Sequence, residues 1–315
     1  MPRKVRIVTS SFATLENTKP PFNIHPPRPE DNVALAENIL ITAAQYQPDV
    51  VVLPEAFKLA GISLEKSREL AEPIPGPTFN LLANWARKLN TYIVAGLMVL
   101  EGSKIFNRGI VIDRTGKLVG YYDKHYPVEE EIMHGVTPGT NTPIFDLDFG
   151  RIGVSVCFDI NWPEIWQEFS NQKIDLAFWI SAYEGGFPLQ SYAWQFKYPI
   201  VSSVWPYHAR VFDIDGRIIH TTSRWSRILF CEVNLDRGLF HTDLQMEKIS
   251  GIQKKYGDLV DIKTYTEEHL FILENNIPGK SVEDIAVEFD LIPYDDYISR
   301  CTSFRNITLG KSENQ

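Results

Sequence analysis

Apolar and polar positions recur along this chain in two rhythms, near-alternating runs and helical stripes, and they follow one another. The first strand is Lys4–Ser10, with Val5, Ile7 and Val8 turned inward. A proline-rich stretch, Lys19–Pro29, follows and cannot be a helix interior. Asp31 and Asn32 then read as the cap of a helix that places Val33, Ala36, Leu40, Ala43 and Ala44 on one face. Asp49–Leu53 is a short apolar run of the kind buried on both sides, and it stops at Pro54-Glu55. A helix over Thr78–Asn90 leads into a strand over Tyr92–Val99, and further strands are predicted at Ile152–Val156, Ile174–Ile180, Ile200–Val204 and Ser226–Val233. Strands interleaved with helices predict an α/β fold with helices packed on sheets.

Two segments resemble each other. Val111–Val119 and Val211–Ile219 both read as hairpins with Asp at the start of the turn and Gly near its end. One such hairpin in each half points to two similar sheets. Beyond about residue 240 the pattern turns helical. Ser281-Val-Glu-Asp284 has capping-box form, with Val282, Ile285, Ala286 and Phe289 at helical spacing, and Thr266–Asn275 and Tyr294–Cys301 are also predicted helices. Residues 1–240 are therefore read as the main domain and 241–315 as a helical C-terminal extension, serving as packing arm, oligomer contact or lid.

Composition narrows the function. At 315 residues, 44% hydrophobic and 23% charged, the chain can bury a sizeable core. A net charge of −9 leaves no basic field for a nucleic-acid backbone or an anionic membrane. No apolar run has the length of a membrane span, and the N-terminus enters a strand without a signal-peptide core. Three scattered cysteines give neither a disulfide framework nor a metal-binding CxxC pattern. The expectation is a soluble, cytoplasmic globular protein with no metal, no cofactor and no nucleic-acid partner.

Three positions carry candidate chemistry. Cys157 follows the strand pattern of Ile152, Val154 and Val156 and precedes Trp162-Pro163-Glu164, which has the form of a helix start. A thiolate there gains from backbone N–H groups, which can also hold an oxyanion. The alternative is a core cysteine, the reading kept for Cys231 and Cys301. Glu55 ends a buried strand, where a carboxylate is either a desolvated base or a structural ion-pair partner. Lys124 follows the strand Lys117–Tyr122 and precedes Glu129-Glu130-Glu131, a cluster that could equally be a solvated loop. His125 and His134 are the nearest candidates for a Cys–His pair, but no papain-like signature accompanies them.

The order Leu53-Pro54-Glu55, Tyr122-Asp-Lys124 and Gly150-Arg-Ile-Gly-Val-Ser-Val-Cys157-Phe-Asp-Ile-Asn-Trp-Pro-Glu164 resembles the carbon–nitrogen hydrolase family, or nitrilase superfamily, across residues 4–235. That resemblance implies a four-layer αββα sandwich of two mixed sheets flanked by helices, a dimer or larger homo-oligomer, and a Glu–Lys–Cys triad. Glu55 would be the general base, Lys124 the cationic stabiliser and Cys157 the nucleophile. A second glutamate after the lysine is assigned to Glu131, with Glu130 the other possibility, and the Phe158 N–H would complete an oxyanion site. The expected reaction is thioester-mediated hydrolysis of a non-peptide C–N bond in a small linear amide or carbamoyl compound, releasing ammonia or an amine. Phe158-Asp159 after the cysteine favours an amide over a nitrile; a nitrilase and a catalytically silent scaffold are the alternatives. Tyr183 and Glu184 stand where relatives often line the substrate pocket, Glu184 suiting a cationic amine, with a rim loop the alternative reading, and the loops Phe12–Arg28 and Tyr183–Gln190 would set specificity. The chain departs from many amidases at Ser202–Ala209, where an Asn-Arg-x-Gly-like step is usual. Trp162, Trp166, Trp179, Trp194 and Trp205 are read as core and interface rather than a binding cage.

Overall fold

Unbroken runs of buried Val and Ile set the central strands, because a strand covered on both faces has no need of polar alternation. In a computed structural model, residues 3–13 and 28–310 are described. Most of the proline-rich stretch Lys19–Pro29 and of the loop Phe12–Arg28 lies outside the described residues. The chain divides into two units, Val5–Val233 and a smaller one formed by the N-terminal residues with Asn234 onward.

Among the described residues of the larger unit, β1 (Lys4–Ser10), β2 (Val50–Val52), β3 (Tyr92–Glu101), β4 (Lys104–Ile112) and β5 (Leu118–Asp123) lie side by side in one sheet. β1, β2 and β3 run parallel, and β3, β4 and β5 antiparallel. The second sheet holds β6 (Ile144–Leu147), β7 (Gly150–Val156), β8 (Leu176–Ser181), β9 (Ile200–Val204), β10 (Arg210–Phe212) and β11 (Ile218–Thr221), with β7, β8 and β9 parallel. β12 (Ile228–Asn234) joins the first sheet beside β1. The two similar segments are indeed the turns of matching hairpins, β4–β5 and β10–β11. In each the Gly N–H (Gly116, Gly216) donates to the Asp carbonyl (Asp113, Asp213) at 2.8 Å, with the glycine at φ +76° or +79°.

Helices α1 (Pro29–Ala43), α2 (Ser67–Leu70) and α3 (Pro77–Leu89) connect the first strands. α1 and α3 press Ala36, Ile39, Leu40, Leu82 and Ala86 onto Val8, Val51 and Ile93 of the first sheet. The short α4 (Glu129–Met133) sits between β5 and β6. α5 (Pro163–Asn171) and α6 (Phe187–Phe196) cover the second sheet through Trp166, Phe169, Leu189 and Ala193. The sheets meet face to face. An added Cβ at Gly109 on β4 would lie 2.9 Å from Val154 Cγ1 on β7, and Thr9 Oγ1 donates to the Ser202 carbonyl at 2.6 Å. The result is the αββα layering expected.

Two local expectations are corrected. α1 begins at Pro29, which fits a first helical turn because its missing N–H is not needed there. Asp31 is the third helical residue and accepts the Arg28 N–H at 3.2 Å, while Asn32 is buried and donates to the Lys58 and Ala60 carbonyls at 3.1 and 2.9 Å. The smaller unit is not purely helical. α7 (Met246–Tyr256), α8 (Val282–Glu288) and α9 (Tyr294–Thr308) accompany an antiparallel sheet of β13 (Arg237–His241), β14 (Val260–Tyr265) and β15 (Leu270–Asn275). β15 is central, paired on both edges, where Thr266–Asn275 reads as a helix in sequence. No helix among the described residues is long and apolar enough to cross a membrane.

Candidate active site

Two parallel-strand ends and one hairpin strand bring polar residues to one buried point. β2 runs on through Leu53 and Pro54 to Glu55, whose neighbour Ala56 has φ +36°. β7 ends at Val156, and Cys157 turns the chain at φ +51° into a 3-10 turn, Cys157–Asn161, ahead of α5. A left-handed conformation costs a non-glycine residue about 1–2 kcal/mol. Here it rotates the cysteine out of the strand while leaving its carbonyl to accept the Trp179 Nε1–H at 3.0 Å. Lys124 follows β5 directly.

The side chains are buried: Lys124 is 2% exposed, Glu55 and Glu131 3% each, Cys157 6%. Lys124 Nζ donates to Glu55 Oε1 at 2.8 Å and to Glu131 Oε2 at 2.7 Å. Glu55 Oε2 accepts the Ala182 N–H at 2.8 Å, and the Glu55 carbonyl accepts Trp205 Nε1–H at 2.7 Å. Glu131 occupies the third position of α4, the place from which a carboxylate reaches back to the preceding backbone, and it accepts the Val128 N–H at 2.8 Å. Glu130 is exposed. The cap geometry of α4 thus selects Glu131 over Glu130 as the lysine's second carboxylate.

The charges explain each titration. Burial alone would lower the Lys124 pKa, but Glu55, the Cys157 sulfur and Glu131 together hold it well above the usual lysine range. The Cys157 thiol is pushed up, first by burial and then by the Glu55 charge, against the opposing pull of Lys124. Burial and the Glu55 charge thus both favour the thiol over the thiolate at Cys157.

His125 and His134 take other places. His125 Nε2 bonds the Asn141 carbonyl at 2.8 Å and its ring stacks on Tyr122, while the polar side chains acting on the thiol are Glu55, Lys124 and Ser181. Cys231 is buried, its thiol pushed up to about 12 by burial, in keeping with a core cysteine. Cys301 is exposed on α9, so the core reading does not hold for it.

Residues 21–238 match the carbon–nitrogen hydrolase family. The chain belongs to that family. Its relatives include a hydrolase of Schizosaccharomyces pombe, 27% identical over 52% of this chain and 52% of that one. A nitrilase of Pyrococcus abyssi is 33% identical over 43% of this chain and 53% of its own. An omega-amidase of Danio rerio is 27% identical over 49% and 58%. The chain thus spans about half the length of the curated relatives it matches. Among solved structures, a branch 10 member of the nitrilase superfamily from Saccharomyces cerevisiae superposes with TM-score 0.64 at 19% identity, covering 81% of this chain and 94% of that one. An amidase from Nesterenkonia superposes at 0.64 with 16% identity, over 74% and 91%.

Around this candidate site the structure adds residues that the sequence did not single out. Asn107, in the apolar strand β4, donates through Nδ2 to Glu55 Oε1 (2.6 Å) and Glu131 Oε1 (2.7 Å), holding two like charges together. Its signal was a buried-type strand interrupted by an amide. Asp159, noted only as part of a residue pair, is fully buried and accepts Tyr122 O–H (2.8 Å), His125 N–H (3.2 Å) and Tyr126 N–H (2.8 Å). It ties the cysteine turn to the lysine loop, and burial raises its pKa to about 6.

Of the proposed contacts, Phe158 is 38% exposed with its ring edge-on to Trp162. Tyr183 packs edge-on against Trp179, and burial followed by the charges of Cys157 and Glu55 raises its phenol pKa. Glu184 Oε1 is engaged by the His208 N–H at 3.2 Å and by His208 Nδ1 at 2.9 Å. Trp166 is core. Trp179 and Trp205 also pack into core clusters, yet each donates its indole N–H to the backbone of a candidate site residue. Trp162 stacks on Tyr126 at 3.6 Å, and Trp194 lies under the Lys197 ammonium.

Proposed function

We propose that this chain is a thiol-dependent amidohydrolase acting on a small linear amide or carbamoyl compound. The observation that carries the reading is the buried Glu55–Lys124–Glu131 cluster with Cys157 turned toward it at a strand end. A thiol held neutral beside a carboxylate suits proton transfer during attack: Glu55 takes the S–H proton as sulfur bonds to the carbonyl carbon. Of the three N–H donors on Lys124, two are bonded to Glu55 and Glu131, which leaves the third for the oxyanion. The Phe158 N–H, at the start of the 3-10 turn, has no carbonyl behind it within that turn and would be the second donor. Protonated Glu55 then gives its proton to the leaving ammonia or amine. It next takes a proton from water as that water attacks the thioester, and the thiol is restored when acid leaves.

The nitrilase relative, at 33% identity, favours a second reading in which the same thiol attacks a C≡N carbon. Product analysis separates the two. A pool of paired amides and nitriles should yield acid and ammonia from the amide, with no consumption of the matching nitrile. Consumption of nitriles alone would replace the amide reading by the nitrile one.

A further inference from the structure

Asn107 Nδ2 and Lys124 Nζ each bond both Glu55 and Glu131, so the four side chains close a ring. The two donors face each other across β4 and β5. Arg108 is registered with Asp123, and one step further the Lys124 N–H donates to the Asn107 carbonyl at 2.9 Å. There the pairing of the two strands ends. The Lys124 carbonyl accepts the Gly139 N–H at 2.8 Å, and Ile105 on β4 is bridged by Val136 instead. β5 is also the edge of its sheet, paired among the described residues with β4 alone. The lysine thus leaves the sheet at the end of an edge strand, where pairing is held from one side only.

Arg108 stands one step inside that corner and is only 4% exposed. Its Nε and Nη2 donate to Asp123 Oδ1 and Oδ2 at 2.6 and 3.0 Å, a two-pronged bond from strand to strand. Nη2 also reaches Glu101 Oε2 at 3.0 Å. The guanidinium lies 3.6 Å from the Tyr121 ring centroid and 5.1 Å from that of Phe106, which fixes its plane. Side chains alternate along a strand, so Arg108 and Asp123 occupy the face opposite to Asn107 and Lys124. The fork therefore acts on the glutamates only through the strands. A buried ion pair adds little net stability over apolar side chains of similar volume, and fixing register is its best-attested use. We propose that Arg108 is a positioning residue: its fork to Asp123 locks β4 to β5 beside the Asn107–Lys124 pair and so sets where those donors hold Glu55 and Glu131. This assignment rests on Glu55 and Lys124 acting in the reaction as proposed above.

The test measures position and turnover separately. Acetylation of lysines by acetic anhydride is mapped by peptide mass spectrometry in wild type and in Arg108→Met with Asp123→Leu, which replaces the ion pair by apolar side chains. Lys124, 2% exposed and bonded to two carboxylates, is protected in the wild type. Loss of the fork should speed its acetylation about tenfold, the worth of one hydrogen bond between charged groups. Cys231 is buried on β12, at the opposite edge of the same sheet, and should keep its protection from iodoacetamide. On any amide or nitrile that wild type hydrolyses, kcat should fall about 100-fold with KM unchanged, because the loss is in alignment rather than in binding. Wild-type acetylation of Lys124, or wild-type kcat, would overturn the assignment. So would an equal loss of Cys231 protection, which would make the pair a general support of the fold. If the double variant fails to fold, Arg108→Lys, which keeps the charge without the fork, is judged by the same outcomes. Faster Lys124 acetylation in a protein that hydrolyses no amide or nitrile would keep Arg108 as the residue that positions Lys124 and remove the hydrolase reading.

Discussion

Lys124 carries one positive charge between two carboxylates, and the chemistry of the buried cluster follows from that ratio. The lysine cannot be given up by either glutamate, and Asn107 supplies the neutral donors that let both stay close. Glu55 and Lys124 each stand at the end of a recognisable strand, but in sequence it was the family resemblance that singled them out over an ion-pair partner and a solvated loop. Glu131 needed the cap of α4 to distinguish it from its neighbours, and Asn107 needed its contact with Glu55, a long-range fact. Asp159 couples the stability of the fold to pH. Its pKa is raised from 3.8 to about 6, so between those values the folded protein keeps a proton that the unfolded chain has lost. Stability from this group is complete below pH 3.8 and is lost as pH rises through about 6, a change of about 3 kcal/mol. Urea melts across that window should show wild type losing stability relative to Asp159→Asn as pH rises. Parallel curves would mean that the carboxyl ionises in the fold as easily as in water.

At the scale of elements, positions of close approach matter more than propensity. Gly96 on β3 lies against the turn that carries Glu55: an added Cβ would sit 2.4 Å from Glu55 Cα and 2.5 Å from the Ala56 nitrogen. Those are backbone atoms, so the turn itself must move. A displacement of about 1 Å at a base costs about 100-fold in rate, and Gly96→Ala is expected to lose that much in kcat/KM while remaining folded. Gly109→Ala, which meets Val154 Cγ1 at 2.9 Å between the sheets, is the comparison. It should cost about 1–3 kcal/mol of stability with a smaller kinetic effect. Wild-type kcat/KM in Gly96→Ala would show that the Glu55 turn tolerates displacement. The one element misread, Thr266–Asn275, shows where pattern runs out. Leu270-Phe-Ile-Leu273 is a four-residue apolar run that suits a buried helix turn or a strand equally, and pairing with both β13 and β14 decides it.

Across the larger unit, the two sheets repeat one plan, three parallel strands followed by a hairpin, and the candidate site forms where the parallel strands of both sheets end. That plan was visible in the twin Asp…Gly turns, and the strand-end motifs placed three of the residues in the cluster. Contacts between elements, such as Ala182 N–H on Glu55 and Trp205 on its carbonyl, have no sequence signature because they join positions more than a hundred residues apart. The central claim is that Cys157 forms a covalent acyl intermediate with Glu55 as its base. Its most direct test is intact-mass spectrometry of the protein during turnover of pooled small linear amides, carbamoyl compounds and nitriles, with Cys157→Ala alongside. An adduct with the mass of one substrate acyl group, mapped to Cys157 and missing from the alanine variant, is the predicted result. Hydrolysis that persists in Cys157→Ala, or an acyl group mapped to another residue, would contradict it.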